Sequence, residues 1–141
     1  MKNNRNFISV LLVLLFAILP GCNLMAEDVP PYYIEGYVEC KDDSAVYKNA
    51  GLTFRFYNIS DKNVKSFTIV FYLFDENGEI VGNDGDAIAF TIDFPMKKRQ
   101  YVPLTVGIDP FLTEEVNENY FIENLYVSNI VYDDGTDWSD P

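Results

Sequence analysis

The sequence predicts an all-β fold, an antiparallel β-sandwich, and three observations predict it. From Tyr32 onward, apolar and polar residues alternate with a period of two, the pattern of half-buried strands. Clusters of Gly, Asn, Asp and Pro interrupt the alternation at short intervals and supply turns. No segment reads as a long helix. Six or seven such strands bury their apolar faces by stacking as two sheets, an open barrel being the alternative.

The first strand begins at Tyr32, with Ile34, Gly36, Val38 and Cys40 on one face and Tyr33, Glu35, Tyr37 and Glu39 on the other. Lys41-Asp42-Asp43-Ser44 is a polar break. The second strand alternates Leu52, Phe54 and Phe56 with Thr53, Arg55 and Tyr57. Asn58 to Asn63 is rich in turn formers. Val64 to Phe74 is apolar on both faces near its middle, as a central strand covered on both sides would be. Asn77-Gly78 marks a tight turn and Ile80-Val81 a brief strand. Ile88, Phe90, Ile92 and Phe94 form one face of the next strand, which Pro95 ends. Val102, Leu104, Val106 and Ile108 mark another, and Pro103, lacking an amide donor, puts it at a sheet edge. Residues 109–119 have room for one helical turn, with Thr113-Glu114-Glu115 near its start. Phe121 to Tyr132 is the last long strand, and Asp133-Asp134-Gly135 turns from it toward Trp138.

Ahead of this domain lies a targeting segment. Lys2 and Arg5 precede a 13-residue apolar run, Phe7 to Leu19, broken only by Ser9 and followed by Pro20-Gly21-Cys22. The run is too short to cross a bilayer core of roughly 30 Å as a helix and suits the core of a signal peptide. Its ending resembles a bacterial lipobox, with an aliphatic residue three before the cysteine and a small residue just before it. That resemblance implies a signal peptide over residues 1–21, acylation of Cys22, and a lipid membrane as partner at the cell envelope, facing the periplasm or the exterior. A secretory signal cut elsewhere and an uncleaved anchor are the competing readings. Residues 22–31 then form a lipidated tether, small, acidic and closed by Pro30-Pro31, and residues 32–141 the sandwich. With Cys22 acylated, Cys40 lacks a partner within the chain and reads as a small buried hydrophobe, an intermolecular disulfide being the alternative.

Composition narrows the function. The 141 residues carry a formal charge of −12. Without Lys2 and Arg5, eight cations face 22 acids, a net −14 that repels phosphate backbones and excludes general nucleic-acid binding.

Phe71-Tyr72-Leu73-Phe74-Asp75 resembles the five-residue signature of FxLYD domains, with Phe at its fourth position where Tyr is usual. Phe56-Tyr57-Asn58-Ile59-Ser60 ahead of it and Asn77-Gly78 after it are similar too, and the likeness covers residues 34–94. The resemblance implies a small extracytoplasmic immunoglobulin-like β domain of the kind found in bacterial lipoproteins. It brings no catalytic residues, and the signature reads as structural, with Phe71 and Leu73 in the core and Asp75 opening the turn.

Candidate chemistry is sparse. With no histidine there is no Ser-His or Cys-His nucleophile pair and no histidine zinc site. No Gly-rich phosphate loop precedes a helix, and the serines lack a nucleophile-elbow setting. We expect no enzyme, no catalytic residues and no cofactor. Asp84-Gly85-Asp86 and Asp133 to Asp137 offer hard oxygens for calcium without matching the twelve-residue EF-hand loop, and their ordinary reading is a pair of acidic turns. A calcium-stabilised carbohydrate-binding or hydrolytic domain is thus the remote alternative. Tyr33, Tyr37 and Tyr57 lie on the polar faces of two strands. If those strands are neighbours, they form a patch for a protein or glycan, or pair across strands merely to stabilise the sheet. Lys97-Lys98-Arg99, the sole basic cluster, reads as a solvated turn or a contact for anionic headgroups. The expectation is a membrane-tethered binding or adhesion module, with a structural or accessory subunit of an envelope complex, recruited through a strand edge, as the alternative.

Overall fold

A computed structural model describes residues 29–40, 46–112 and 119–141. They form eight strands: β1 (Tyr32–Cys40), β2 (Ala50–Asn58), β3 (Val64–Phe74), β4 (Ile80–Val81), β5 (Ile88–Ile92), β6 (Tyr101–Gly107), β7 (Phe121–Tyr132) and β8 (Asp137–Ser139). One sheet has the order β1-β2-β6. The other runs β4-β3-β7-β8, with β5 also pairing with β3, and every pairing is antiparallel. The chain crosses between sheets after β2, after β5 and after β6, as in an immunoglobulin-like sandwich.

The core follows from the alternation. Leu52, Phe54 and Phe56 of one sheet face Phe67, Ile69, Phe71 and Leu73 of the other, and all are buried. The Phe56 and Phe67 rings stack 4.3 Å apart, with Phe54 edge-on to Phe67 at 6.3 Å. Tyr32 continues this column, stacking on Phe56, meeting Trp138 edge-on, and accepting the Val127 N–H through its hydroxyl at 3.0 Å. Burial raises the Tyr32 pKa, which keeps that hydroxyl neutral.

Most expected elements appear with the expected bounds, and β6 with Pro103 does lie at a sheet edge. β3 is central in its sheet, but its second face is covered only in part: Val70 there is buried, while Thr68, Tyr72 and Phe74 are half-buried. The helical turn is a single 3-10 turn at Asp109–Phe111, while Thr113-Glu114-Glu115 and Lys41-Asp42-Asp43-Ser44 lie outside the described residues. Cys40 corrects its own reading. It ends edge strand β1 and is exposed, because alternation assigns a face without saying how far the opposite sheet extends over it.

The sandwich has two distinct ends. The proximal end, where β1 begins, gathers the β2–β3, β5–β6 and β7–β8 connections. The distal end gathers the loops from β3 through β4 to β5 and the 3-10 turn after β6.

Candidate functional site

β1 pairs with β2, and β2 with β6, so the outward residues of three strands fall into cross-strand rows. Tyr33 lies opposite Tyr57, and Tyr57 opposite Tyr101. The next outward row is Glu35, Arg55 and Pro103, and the one above it Tyr37, Thr53 and Thr105. Tyr33, Tyr37 and Tyr101 are 54%, 60% and 52% exposed, while Tyr57 between its neighbours is half-buried. The three tyrosines expected from the sequence are therefore brought onto one face, with Tyr101 as a fourth. Tyr101 shares the side of Pro103, opposite Val102, so alternation gives its outward face, while the register of β6 on β2 is what puts it in the row.

Polar side chains link the rows. Arg55 donates to Glu35 Oε1 at 3.1 Å and the Tyr33 hydroxyl to Oε2 at 2.9 Å. The hydrogen bond to the Glu35 carboxylate pushes the Tyr33 phenol above its ordinary value, so it remains a donor well past neutral pH. Thr53 and Thr105 share a hydrogen bond of 3.0 Å. A shallow depression of about 430 Å³ lies among Glu35, Tyr37, Thr53, Arg55 and Pro103.

Among the described residues, none of these four tyrosine rings takes part in a stacked or edge-on aromatic pair. The outer face of the other sheet differs. There Phe74 and Phe121 stack on each other at 5.4 Å, and Thr68 bonds Thr91 across the strands at 3.0 Å. Phe74 and Phe121 cover one another on that face, where Tyr72 and Tyr126 are half-buried, whereas Tyr33, Tyr37 and Tyr101 on the β1-β2-β6 face are more than half exposed.

The two aspartate loops hold their own turns. Asp134 Oδ1 accepts the Thr136 amide at 3.0 Å and hydroxyl at 2.6 Å, and Oδ2 pairs with Lys62 at 2.9 Å. Those contacts, the Thr136 hydroxyl foremost, lower the Asp134 pKa to about 2. In the other loop Asp84 has a left-handed backbone, φ 55°, within a 3-10 turn. No three acidic or cysteine side chains converge on a metal-sized site among the described residues.

Phe71-Tyr72-Leu73-Phe74-Asp75 ends β3 and opens the turn after it. Phe71 and Leu73 are buried, and Asp75 accepts the amides of Asn77 and Glu79, both at 2.9 Å. The Glu79 amide is the chief cause that holds Asp75 below the usual carboxylate range. The preceding Asn58 is wholly buried and ties the proximal end together. Its amide nitrogen donates to Lys62 O at 2.9 Å and Lys97 O at 3.1 Å, while Oδ1 accepts the Ser60 amide and hydroxyl.

Lys97-Lys98-Arg99 forms an exposed turn. The Lys98 amide donates to Asn63 Oδ1, and Arg99, with φ 59°, pairs with Asp61 at 3.0 Å. Cys22 and the tether up to residue 28 lie outside the described residues, and no described helix is long and apolar enough to cross a membrane. Comparison of the chain with protein-family models, with curated proteins and with solved structures finds no match.

Proposed function

We propose that the chain is a non-enzymatic FxLYD-type lipoprotein, acylated at Cys22, that holds a binding or adhesion module outside the cytoplasm at the cell envelope and captures a protein or glycan through its tyrosine face. The observation that carries this reading is the placement of Tyr33, Tyr37, Tyr57 and Tyr101 on one sheet face with their rings unstacked. Exposed tyrosine is well suited to recognition, since it offers a large rigid surface with a polar tip at little entropic cost. The Glu35–Arg55 pair and the Thr53–Thr105 hydroxyls add directional groups around the depression. Acylation supports the localisation half: each buried methylene contributes about 0.8 kcal/mol, and two or more chains anchor durably.

Affinity capture from cell envelopes, with the acylated protein as bait, tests the face. Tyr33→Ala combined with Tyr37→Ala should reduce recovery of the partner by tenfold or more if the pair are hot-spot anchors, about 1.4 kcal/mol or greater. Undiminished recovery removes the face from the proposal. Growth with labelled palmitate tests the anchor, since Cys22→Ser should abolish incorporation.

A further inference from the structure

We propose that the proximal end of the sandwich docks on anionic lipid headgroups, so that the strands stand upright from the bilayer and the acidic distal end points away. This rests on the Cys22 anchor proposed above and adds an orientation to it. Three separate features of the molecule converge on it.

The first is where the chain arrives. The Pro31 carbonyl accepts the Ile59 amide at 2.9 Å, which pins the start of the domain beside the β2–β3 turn. Cys22 precedes Pro31 by nine residues, a reach of at most about 30–32 Å. The sandwich is about as tall, since the eleven residues of β3 span roughly 33 Å. An inverted domain would need that tether stretched to its limit along the flank of the protein, whereas an upright one leaves it slack.

The second is charge. Of the cations among the described residues, Lys62, Lys65, Lys97, Lys98 and Arg99 all sit in proximal connections or at adjoining strand ends. Five carboxylates share that end, namely Asp61, Asp93, Asp133, Asp134 and Asp137, so it is balanced. Asp61 and Asp134 are moreover engaged by Arg99 and Lys62, while Lys65, Lys97 and Lys98 form no ion pair among the described residues. At the distal end Lys48 stands against Asp75, Glu76, Glu79, Asp84, Asp86 and Asp109. An anionic surface repels that end and tolerates the other. Screening makes the difference decisive, because the Debye length is about 8 Å at physiological salt. Upright, the distal carboxylates stand several screening lengths from the headgroups; inverted, they are the charges turned toward them.

The third is aromatic. Tyr101 follows the Lys97-Lys98-Arg99 turn by two residues, and the row it forms with Tyr57 and Tyr33 is the outward row nearest the proximal end. Tyrosine favours the headgroup level, with its ring toward the acyl boundary and its hydroxyl in water. In this orientation the row sits at the base of the tyrosine face. Tyr37 stands about 13 Å higher, four residues along β1, and the depression opens from the Glu35, Arg55 and Pro103 row, about 7 Å above the tyrosine row.

Vesicle quenching tests the orientation. The mature acylated chain, with Cys40→Ser removing its exposed thiol, receives a dye at Pro95→Cys or at Asn77→Cys, exposed positions at opposite ends. Each is mixed with phosphatidylcholine vesicles containing phosphatidylglycerol and a headgroup nitroxide quencher. The dye at position 95 should be quenched at least fivefold more than that at position 77. Lys97→Glu combined with Lys98→Glu should bring that ratio toward one, since each cation near such a surface is worth about fivefold in affinity. Protein that floats with the vesicles yet shows equal quenching at both sites overturns the orientation and leaves the anchor standing. A ratio unmoved by the double reversal overturns the headgroup contact. Protein that fails to float removes the anchor, and the orientation with it.

Discussion

The two ends of β2 are each held by one polar side chain, and the two solve the same problem with different chemistry. At the proximal end the neutral Asn58 amide, fully buried, donates to two carbonyls and accepts an amide and a hydroxyl. At the distal end the Asp109 carboxylate accepts three successive amides, those of Lys48 and Asn49 at 2.7 and 2.8 Å and of Ala50 at 3.2 Å. The difference reflects what each end presents. Lys62 O and Lys97 O are acceptors and demand a donor, which only an amide can combine with acceptance on its other atom. Residues 48–50 present donors alone, and a carboxylate meets them without a wasted proton. A neutral clasp is indifferent to acid, whereas a charged one is not.

The largest expected effect comes from breaking the neutral clasp. Asn58→Asp keeps the shape but turns a carboxylate oxygen toward two carbonyls and buries a charge. A loss of at least about 3 kcal/mol follows, since a buried unsatisfied polar group costs ~1–3 kcal/mol and a charged one more. Asn58→Ala should cost about 2–3 kcal/mol by leaving the Lys62 and Lys97 carbonyls without this donor. Thermal melts read both, with Asn58→Asp partly recovering as the pH falls and its carboxyl takes a proton. An unperturbed melt for either variant would show that Asn58 is a bystander.

Next in size is the charged clasp. Burial pushes the Asp109 pKa up, but the Lys48, Asn49 and Ala50 amides outweigh it and leave the value depressed. A depressed folded-state pKa means stability that is full above the unfolded value of about 3.9 and lost as pH falls through the folded one. Asp109→Asn retains one acceptor but faces the Lys48 amide with a donor, so it should cost about 1–2 kcal/mol at neutral pH. The melting temperature of the variant should also fall less steeply below pH 4 than that of the parent. Parallel curves would assign the acid sensitivity elsewhere, to Asp75 or Asp134, whose carboxyls are likewise held low.

What the sequence disclosed about these clasps shows where such reading works. The strands were legible because alternation is local: Phe54 and Arg55 declare opposite faces without reference to any other segment. The edge position of β6 was legible for the same reason, through the missing amide of Pro103. Asn58 was not. As the last residue of β2 within a run of turn formers it reads as a solvated turn, and its burial depends on the Lys97 carbonyl, 39 residues away. Asp109 likewise looks like the start of a helical turn until residues 48–50 are brought to it. Tyr101 joins the tyrosine row only through the register of β6 on β2. Pairings between distant segments, which alternation does not encode, decided each of these.

The smallest effect should come from the peripheral pair at the proximal end, where Asp134 meets Lys62. In Asp134→Asn the oxygen that accepts the Thr136 amide and hydroxyl is retained, so the turn keeps its shape, and only the contact of the second oxygen with Lys62 is lost. Lys62 still donates to the Thr136 hydroxyl at 2.7 Å and lies 5.3 Å from the centre of the Tyr132 ring. Both members of the pair are about half exposed, and solvent screens such a bridge strongly. A shift of less than about 3 °C in the melt is therefore expected, shrinking further in high salt. The contrast with Asn58 is the sharpest form of the comparison. Two polar residues hold the same end of the sandwich, yet only the one whose partners water cannot replace should prove costly to remove.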